Sequence, residues 1–502
     1  MKGDRGLKFQ TTYLSYTIDL KNMKNLSKSI AIPSLLLVAG TITVTGVSTK
    51  DKPNIIYILA DDMGYGDLGC YGQKEIKTPA IDQLAADGIR FTRHYAGSTV
   101  SAPSRCSLMT GLHAGHSKIR GNSPKVELDE RDTTIASVLK SEGYKTALIG
   151  KWGLGDEGST GIPSKQGFDY FFGYLNQVHA HNHFPEYLLR NDVRVPIGNE
   201  VIYLRPGEDK KGNGSATKNK LVYSQDLLMK EAMQFVKNNA KSPFFLYLSV
   251  IIPHANDEYA LASNEHGMEV PDYGIYKDKN WPNPQKGLAA MISYLDKDVA
   301  QLRAQLVQLG IDKNTIIIFA SDNGPHSEAK NDPIFFNSSG GLRGQKRDEY
   351  EGGIRIPMIA CWPGTIKPGK VTNHISAFWD VMPTLAEIAG AKAPQKIDGI
   401  SFLPTLLGKK QKEHDNLYWE INEQGGKQAA LKGNWKLVKT NLFDPTKTKI
   451  ELFNLTNDPA EQNDVSKDNP KIVAEMLAIL VSERTDDPNF SITVDPRAKK
   501  TK

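Results

Sequence analysis

The sequence predicts an α/β protein with a large, doubly wound mixed sheet flanked by helices and a smaller C-terminal subdomain of antiparallel sheet plus helix. Three observations lead to this prediction. Five short apolar runs are rich in β-branched and aromatic residues and almost continuous, as is typical of strands buried on both faces. Amphipathic segments with helical spacing lie between these runs. After residue 363, shorter strand-like runs alternate with Gly, Asn and Asp-Pro turns.

The elements follow one another in a regular order. The predicted strands of the large sheet are residues 55–60, 146–150, 244–252, 315–320 and 356–362. The predicted helices are residues 133–140, 222–239, 287–309 and 376–390. The C-terminal sheet is predicted over residues 417–422, 428–431, 435–439 and 451–454, with a final helix over 470–482. We therefore expect a main domain over residues 51–375 and a C-terminal subdomain over residues 376–502.

The first fifty residues differ from the rest and predict an export signal. A short basic stretch (23–28) precedes an apolar run (30–44) and small residues (45–48) that suit a cleavage point. We expect residues 1–50 to be an N-terminal extension and signal peptide that starts at Met23; a disordered arm is the alternative. The protein would then be periplasmic or extracellular. We expect no membrane span in the mature protein, because no later stretch approaches the ~20 apolar residues of a membrane helix.

Charge and cysteine content exclude several classes of protein. A formal net charge of +5 over 502 residues is too small to indicate nucleic-acid binding. The three cysteines, Cys70, Cys106 and Cys361, are widely spaced and give neither a disulfide framework nor a zinc pattern. We expect three buried thiols; a disulfide that includes Cys70, in an oxidising compartment, is the alternative.

Polar side chains follow four of the predicted strands: Asp61 and Asp62, Lys151, His254, and Asp322 with Asn323. In open α/β sheets, ligands bind outside the carboxyl ends of the strands. One such strand ending would mean little, but four of them predict an active site at one edge of the sheet.

A serine-rich segment lies between the first two of these strands. Ser101-Ala102-Pro103-Ser104-Arg105 predicts a Pro-containing turn that leads into a short helix. Ser101 would then lie near a helix N-terminus, where backbone N–H groups favour anions. Taken alone, such a segment is more commonly an ordinary helix cap.

The segment also resembles the signature of a known family. Ser101-Ala102-Pro103-Ser104-Arg105, with the Leu-Met-Thr-Gly that ends at residue 111, is similar to the motif of the formylglycine-dependent type I sulfatases of the alkaline phosphatase superfamily. The resemblance runs from about residue 53 to the C-terminal sheet. It implies that Ser101 is converted to formylglycine, as in the bacterial serine type, by an anaerobic radical maturase. A serine that replaces a native cysteine would look the same.

The paired acids suggest a metal site. Asp61, Asp62, Asp322 and Asn323 offer four oxygen ligands, which suit calcium or magnesium and disfavour zinc. A lone Asp-Asp pair is usually a solvated turn, but the second pair and the neighbouring motif change that interpretation. The family resemblance implies one Ca²⁺ ion, with an oxygen of the modified residue 101 as a further ligand.

The resemblance also implies a set of catalytic side chains. Arg105, Lys151 and Lys346 match the family's cations, which would stabilise negative charge on the sulfate oxygens. In the family mechanism the hydrated aldehyde attacks sulfur, an acid protonates the leaving alcohol, and the remaining hydroxyl expels sulfate. His254 matches that acid, and a packed core histidine is the alternative.

The chain departs from many relatives at one position. They carry Lys-Trp-His where this sequence has Lys-Trp followed by Gly153, so one histidine is missing. We expect His181 to replace it. His179, His183 and His326 are candidate contacts for sulfate or sugar, although a simply polar loop would also explain the first two.

The resemblance implies hydrolysis of sulfate esters. We expect exo-acting removal of O-sulfate from a hexose of a sulfated glycan, with galactose-type sugars favoured. A phosphodiesterase or phosphonate hydrolase of the same superfamily is the first alternative, and it would often need two transition metals. The second is a non-catalytic sulfoglycan-binding protein in which Ser101 is not matured.

Overall fold

The central sheet places the strand ends that matter for function side by side. A computed structural model of the protein describes residues 52–122, 125–204 and 214–493. The signal expected over residues 1–50 lies outside the described residues.

Eleven strands join in one sheet in the order β12-β2-β11-β10-β1-β9-β3-β4-β5-β6, with β13 beside β2. These strands are β1 (Asn54–Ala60), β2 (Ile89–Tyr95), β3 (Lys145–Lys151), β4 (Tyr170–Tyr174), β5 (Tyr187–Arg190), β6 (Val193–Pro196), β9 (Phe244–Ser249), β10 (Thr315–Ser321), β11 (Arg355–Cys361), β12 (Lys370–Thr372) and β13 (Ser376–Ala377).

The middle of this sheet is parallel, which sets the site. Strands β10, β1, β9, β3 and β4 run in the same direction, and β1 pairs with β10 from Asn54↔Thr315 to Ala60↔Ser321. Their residues are almost all buried, because helices cover both faces. The register brings the residues that follow Ala60 and Ser321 to one edge of the sheet.

The edges of the sheet make it mixed. Strand β11 is antiparallel to both β10 and β2, and β5 is antiparallel to β4. The predicted fold class, a mixed α/β sheet flanked by helices, is confirmed. A separate two-stranded ribbon pairs β7 (Val201–Tyr203) with β8 (Ser215–Thr217).

Ten α-helices lie in the described part of the chain. They are α1 (Pro79–Ala86), α2 (Ser101–Thr110), α3 (Ile135–Ser141), α4 (Ser224–Asn239), α5 (Asp257–Ser263), α6 (Asn283–Gln308), α7 (Glu351–Ile354), α8 (Val381–Ala389), α9 (Leu403–Leu406) and α10 (Pro470–Ser482). None of these helices is long and apolar enough to cross a membrane.

The C-terminal antiparallel sheet has four strands, β14 (Leu417–Ile421), β15 (Lys427–Lys432), β16 (Trp435–Thr440) and β17 (Lys449–Asn454). One face packs on α10, through residues that include Leu437 and Leu480. The other face packs on the main sheet, where Trp419 contacts Tyr95 and Trp379. The predicted domain boundary at residue 376 stays a prediction. Strand β13, which begins at that residue, pairs with β2 of the main sheet.

Four local predictions were wrong in detail. The turn expected at Ser101 is already helical, because Pro103 lies in the first turn, where a missing N–H costs no helical hydrogen bond. The strand expected over residues 244–252 ends at Ser249. The helix expected from residue 376 begins at Val381, after β13 and a short 3₁₀ turn. Cys70 is only partly buried, because it lies on a 3₁₀ turn near the surface.

Candidate active site

Ser101 is the first residue of α2 and lies at the carboxyl edge of the parallel strands. Its hydroxyl is 3.2 Å from Oδ1 of Asp61 and 3.2 Å from Nζ of Lys151. Its side chain is almost buried, with 4% of the residue exposed. The hydroxyl therefore lies between a carboxylate and an ammonium group at a helix N-terminus, a place that favours negative charge.

The predicted acidic pairs meet at this edge. The backbone N–H of Asp62 donates to Oδ1 of Asp322 at 3.0 Å, and Nδ2 of Asn323 donates to Oδ1 of Asp62 at 2.7 Å. Oδ1 of Asn323 is buried and has no hydrogen-bond partner among the described residues. Asp62 also has a φ of 63°, a left-handed conformation that is uncommon for a non-glycine residue. Such strain is often found at functional sites.

Arg105 is fully buried beside these acids. Its guanidinium donates to Oδ2 of Asp322 at 2.9 and 3.2 Å, and its Nη2 lies 3.3 Å from Oδ2 of Asp61. Other contacts are the carbonyl of Lys151 and the hydroxyl of Ser249. Burial acts to lower the pKa of Arg105, but the charges of Asp322 and Asp61 outweigh it, so the group stays protonated.

Two lysines complete the set of buried cations. Nζ of Lys151 is 2.7 Å from Oδ2 of Asp61, and Nζ of Lys346 is 2.9 Å from Oδ2 of Asp62 and 2.7 Å from Oε2 of Glu328. Burial lowers the pKa of Lys151 despite its carboxylate partner. The pKa of Lys346 is raised, because its two carboxylates outweigh the effect of burial.

His254 presents one ring nitrogen to this cluster. Its Nδ1 is 2.6 Å from the carbonyl oxygen of Ala255, so Nδ1 carries a proton and Nε2 faces the site. Nε2 lies 3.1 Å from Nζ of Lys346 and 3.4 Å from Oδ2 of Asp62. Burial, helped by the charge of Lys346, lowers the pKa of His254 well below its usual range.

The other candidate histidines fall into two groups. The rings of His181 and His326 stack on His254, with centroid distances of 4.8 and 5.8 Å. His183 is buried behind them, and its Nε2 contacts the carbonyl of His254 at 2.8 Å. His179 is buried near Tyr174 and Tyr187. The structure therefore brings only His181 and His326 beside His254 as candidate contacts for a substrate.

Sequence reasoning missed three residues of this cluster. The carboxylate of Glu328 contacts Lys346 and Arg347, and it lies 3.8 Å from Nε2 of His254. Neither Glu328 nor Arg347 belongs to an element with hydrophobic periodicity, so no pattern pointed to them. Ser249, which contacts Arg105, is the last residue of β9 and could have been found by the strand-end rule.

Fixed positive charges around a hydroxyl can bind a tetrahedral anion and stabilise the charge that develops when its ester bond breaks. The fold and the site thus define a hydrolase of anionic esters, and similarity to known proteins identifies the anion. The sulfatase family model matches residues 53–391, and the model of the C-terminal region of N-sulphoglucosamine sulphohydrolase matches residues 344–486. The chain belongs to the sulfatase family and is a sulfuric ester hydrolase.

Individual relatives agree with this assignment. The N-acetylgalactosamine-6-O-sulfatase of Bacteroides thetaiotaomicron is 30% identical, over 92% of this chain and 100% of that protein. Human arylsulfatase A is 32% identical, over 77% of this chain and 73% of its own length. Among solved structures, Ps i-CgsB has a TM-score of 0.73 at 29% identity and covers 89% of this chain and 96% of its own. It has also been solved in complex with k-i-k-neocarrahexaose.

Proposed function

We propose that this sulfatase removes an O-sulfate from a hexose at the end of a sulfated glycan, with formylglycine at residue 101 and one Ca²⁺ ion. The observation that carries the proposal is the position of the Ser101 hydroxyl, 3.2 Å from both Asp61 and Lys151. Carbohydrate-directed relatives support the sugar, because one is named for N-acetylgalactosamine and another was solved with k-i-k-neocarrahexaose.

The donor set fits calcium. Asp61, Asp62, Asp322 and Asn323 provide only oxygen ligands, and all four side chains are buried. Ligand oxygens about 2.4 Å from one Ca²⁺ ion can be at most about 4.8 Å apart. Asp61 and Asp62 meet this limit, since their nearest oxygens lie within 4.8 Å of each other. The unpartnered Oδ1 of Asn323 is a further acceptor for a cation. When bound, the ion would polarise oxygens and lower the pKa of a hydroxyl at residue 101.

The chain's own residues would hold the sulfate and move one proton. Lys151, Lys346 and Arg105 are buried cations, so their charges act in a water-poor site where they stabilise a developing sulfate dianion strongly. With its pKa lowered and Nδ1 bonded to the Ala255 carbonyl, His254 would be neutral before substrate binds. The negative charge of a bound sulfate ester would favour a second proton on Nε2, which His254 would then donate to the oxygen of the leaving alcohol. Its position beside Lys346 keeps that nitrogen facing the site, while the Ala255 carbonyl fixes the ring.

Maturation of Ser101 would supply a nucleophile that can also release sulfate. An unmodified serine would form a sulfate ester with no internal route to its breakdown. We therefore propose that an anaerobic radical maturase acts on this chain and that the protein is exported to the periplasm or the cell exterior. His181, stacked on His254, is the proposed substitute for the histidine absent at residue 153.

A phosphodiesterase or phosphonate hydrolase of the same superfamily is less consistent with the charges. Asp62, His326 and Glu328 could hold a second metal ion, since their ligand atoms lie within 4.8 Å of one another. However, that cluster shares Asp62 with the proposed Ca²⁺ site, and its other carboxylate, Glu328, already pairs with both Lys346 and Arg347. This arrangement favours a single metal ion.

Mass spectrometry combined with an activity assay tests the proposal. Protein from a host with the serine maturase should lose two hydrogens at Ser101 and release sulfate from monosulfated hexoses. Protein made without the maturase, and a Ser101→Ala variant, should be folded and nearly inactive. Full activity with unmodified Ser101 would refute the proposed chemistry, whereas unmodified serine in the native host would favour a glycan-binding protein.

A further inference from the structure

A small cavity with both polar and apolar lining lies beside Ala102, the residue that follows Ser101. It has a volume of about 140 Å³ and lies at the N-terminus of α2. Ala102, which follows Ser101, lines one side, and Gly153, two residues after Lys151, lines another. Ser101 itself does not line the cavity, but its neighbour Ala102 does, so a group bound there would lie beside the helix turn that carries the reactive hydroxyl. The histidine stack does not line it, so this is a different part of the site from that around His254.

Gln177 occupies the space that a side chain at residue 153 would need. A Cβ atom at Gly153 would lie 2.1 Å from Nε2 and 2.7 Å from Cδ of Gln177, well inside van der Waals contact. Gly153 also has a φ of 79°, a left-handed backbone conformation that glycine adopts with less strain than any residue with a side chain. The glycine and the glutamine thus fit each other: the Gln177 amide, from the loop that follows β4, fills the space beside Gly153.

The turn that carries Gln177 is held rigidly. Oδ1 of Asn176 accepts hydrogen bonds from the backbone N–H groups of Val178 and His179, at 2.8 and 3.2 Å. Nδ2 of the same residue donates to Oδ2 of Asp156 at 2.9 Å. The Gln177 amide itself makes only a 3.5 Å contact with the Gly153 carbonyl, at the outer limit of a hydrogen bond. A fixed backbone with a weakly engaged amide is suited to bind a ligand.

The chemistry of the lining favours an uncharged, hydroxyl-bearing ligand. The amide of Gln177 can both donate to and accept from a sugar hydroxyl. Asn122, which also lines the cavity, accepts from the Ala102 N–H through Oδ1 and offers its Nδ2 as a further donor. The ionisable residues that line the cavity are Asp156, Glu127 and Lys125, two carboxylates and one ammonium group. Their net negative charge would repel a second sulfate or a uronic acid. An aryl or steroid ring would leave the polar groups unpaired.

We infer that Gln177, whose amide lies beside Gly153, is a specificity-determining residue. It binds a hydroxyl of the sugar ring that carries the scissile sulfate. This inference rests on the proposed function and identifies a sugar hydroxyl as the part of the leaving group that the enzyme recognises. The lining favours a neutral hydroxyl group of that ring and disfavours a second anionic group at the same place.

Kinetics of a Gln177→Leu variant test the inference with two substrates. Leucine keeps much of the side-chain volume but cannot form hydrogen bonds. For monosulfated galactose or N-acetylgalactosamine, kcat/KM should fall about tenfold, mainly through a higher KM, because one hydrogen bond to an uncharged group is lost. For 4-nitrophenyl sulfate, which has no sugar hydroxyls, it should change less than about twofold. Gln234→Leu, on the exposed face of α4, is the matched control and should change neither.

A second variant tests the same interaction through Gly153, the residue that the Gln177 amide packs against. Gly153→Ala places a methyl group where the Gln177 amide lies, so it should displace that amide and reproduce the selective loss on sugar sulfates. An equal effect of Gln177→Leu on both substrates, or no effect on either, would overturn the inference while the wild type still cleaved sugar sulfates. A matured wild type that cleaves 4-nitrophenyl sulfate but no sulfated hexose would instead overturn the proposed function.

Discussion

The side chains of Ser101 and Asp61 lie 3.2 Å apart, although one residue begins helix α2 and the other follows strand β1. Nothing in the local backbone requires this contact, since the two residues are separated by a helix, a strand and their loops. The parallel register of the sheet brings Asp322 to the same place from β10. Three distant segments therefore converge on the volume in which a metal ion and an anion would have to meet.

Loss of the metal ion should abolish activity. Because Asp62 contributes a charged oxygen ligand, Asp62→Asn should weaken Ca²⁺ binding at least about tenfold. Titration calorimetry would measure the affinity, and thermal unfolding with and without Ca²⁺ gives a second readout, since a ligand at 100 times its Kd stabilises by about 2.7 kcal/mol. Asp278→Asn, at an exposed position, is the control. Equal Ca²⁺ affinity in Asp62→Asn and wild type would contradict the assigned ligand.

Replacement of Arg105 by lysine should damage both stability and activity. Lysine keeps the charge but cannot donate at once to Asp322, Ser249 and the Lys151 carbonyl, so buried acceptors would lose partners. We expect a loss of about 2–4 kcal/mol in the free energy of unfolding and at least about 100-fold in kcat.

Chemical denaturation and steady-state kinetics would check the Arg105 prediction. Arg131→Lys is the control, because the Arg131 side chain is 87% exposed and pairs with Asp129 at the surface. If Arg105→Lys unfolded at the same denaturant concentration as wild type, the buried hydrogen bonds would contribute less than their geometry indicates.

His254→Gln should slow the reaction in proportion to the basicity of the leaving group. A general acid contributes about 10²- to 10⁴-fold when the leaving alcohol is a poor one, and little when it is 4-nitrophenol. Hydrolysis rates for a sugar sulfate and for 4-nitrophenyl sulfate would therefore diverge in the variant. His266→Gln, whose ring contacts the Tyr273 hydroxyl outside the site, is the matched control. A uniform rate loss on both substrates would point to a role in positioning.

The convergence of Asp61, Lys151 and Asp322 could be predicted from the sequence, because buried apolar runs indicate parallel strands and parallel strands end at one edge. The direction of β11 could not, since an apolar run has the same appearance in a parallel and an antiparallel strand. Side chains such as Glu328 and Gln177 come from irregular loops, where no periodicity marks a position. Their partners become visible only when distant segments are folded together.

The pH dependence of stability should report on Glu349. Its side chain is buried, neither carboxylate oxygen has a hydrogen-bond partner among the described residues, and burial raises its pKa from 4.5 to about 8. Between pH 4.5 and about 8, Glu349 has released its carboxyl proton in the unfolded chain but keeps it in the folded protein. The unfolded state then binds fewer protons, so this residue makes the free energy of unfolding fall as pH rises and level off above about 8.

Glu349→Gln should remove that dependence, because glutamine stays neutral in both states. The variant should gain stability relative to wild type as pH rises from about 4.5 to 8, by roughly 1–4 kcal/mol at the upper end. Denaturation at a series of pH values would measure the difference, with Glu475→Gln on α10 as the control, since that side chain is 52% exposed. A difference that stays constant over this range would mean that Glu349 is already ionised in the folded protein.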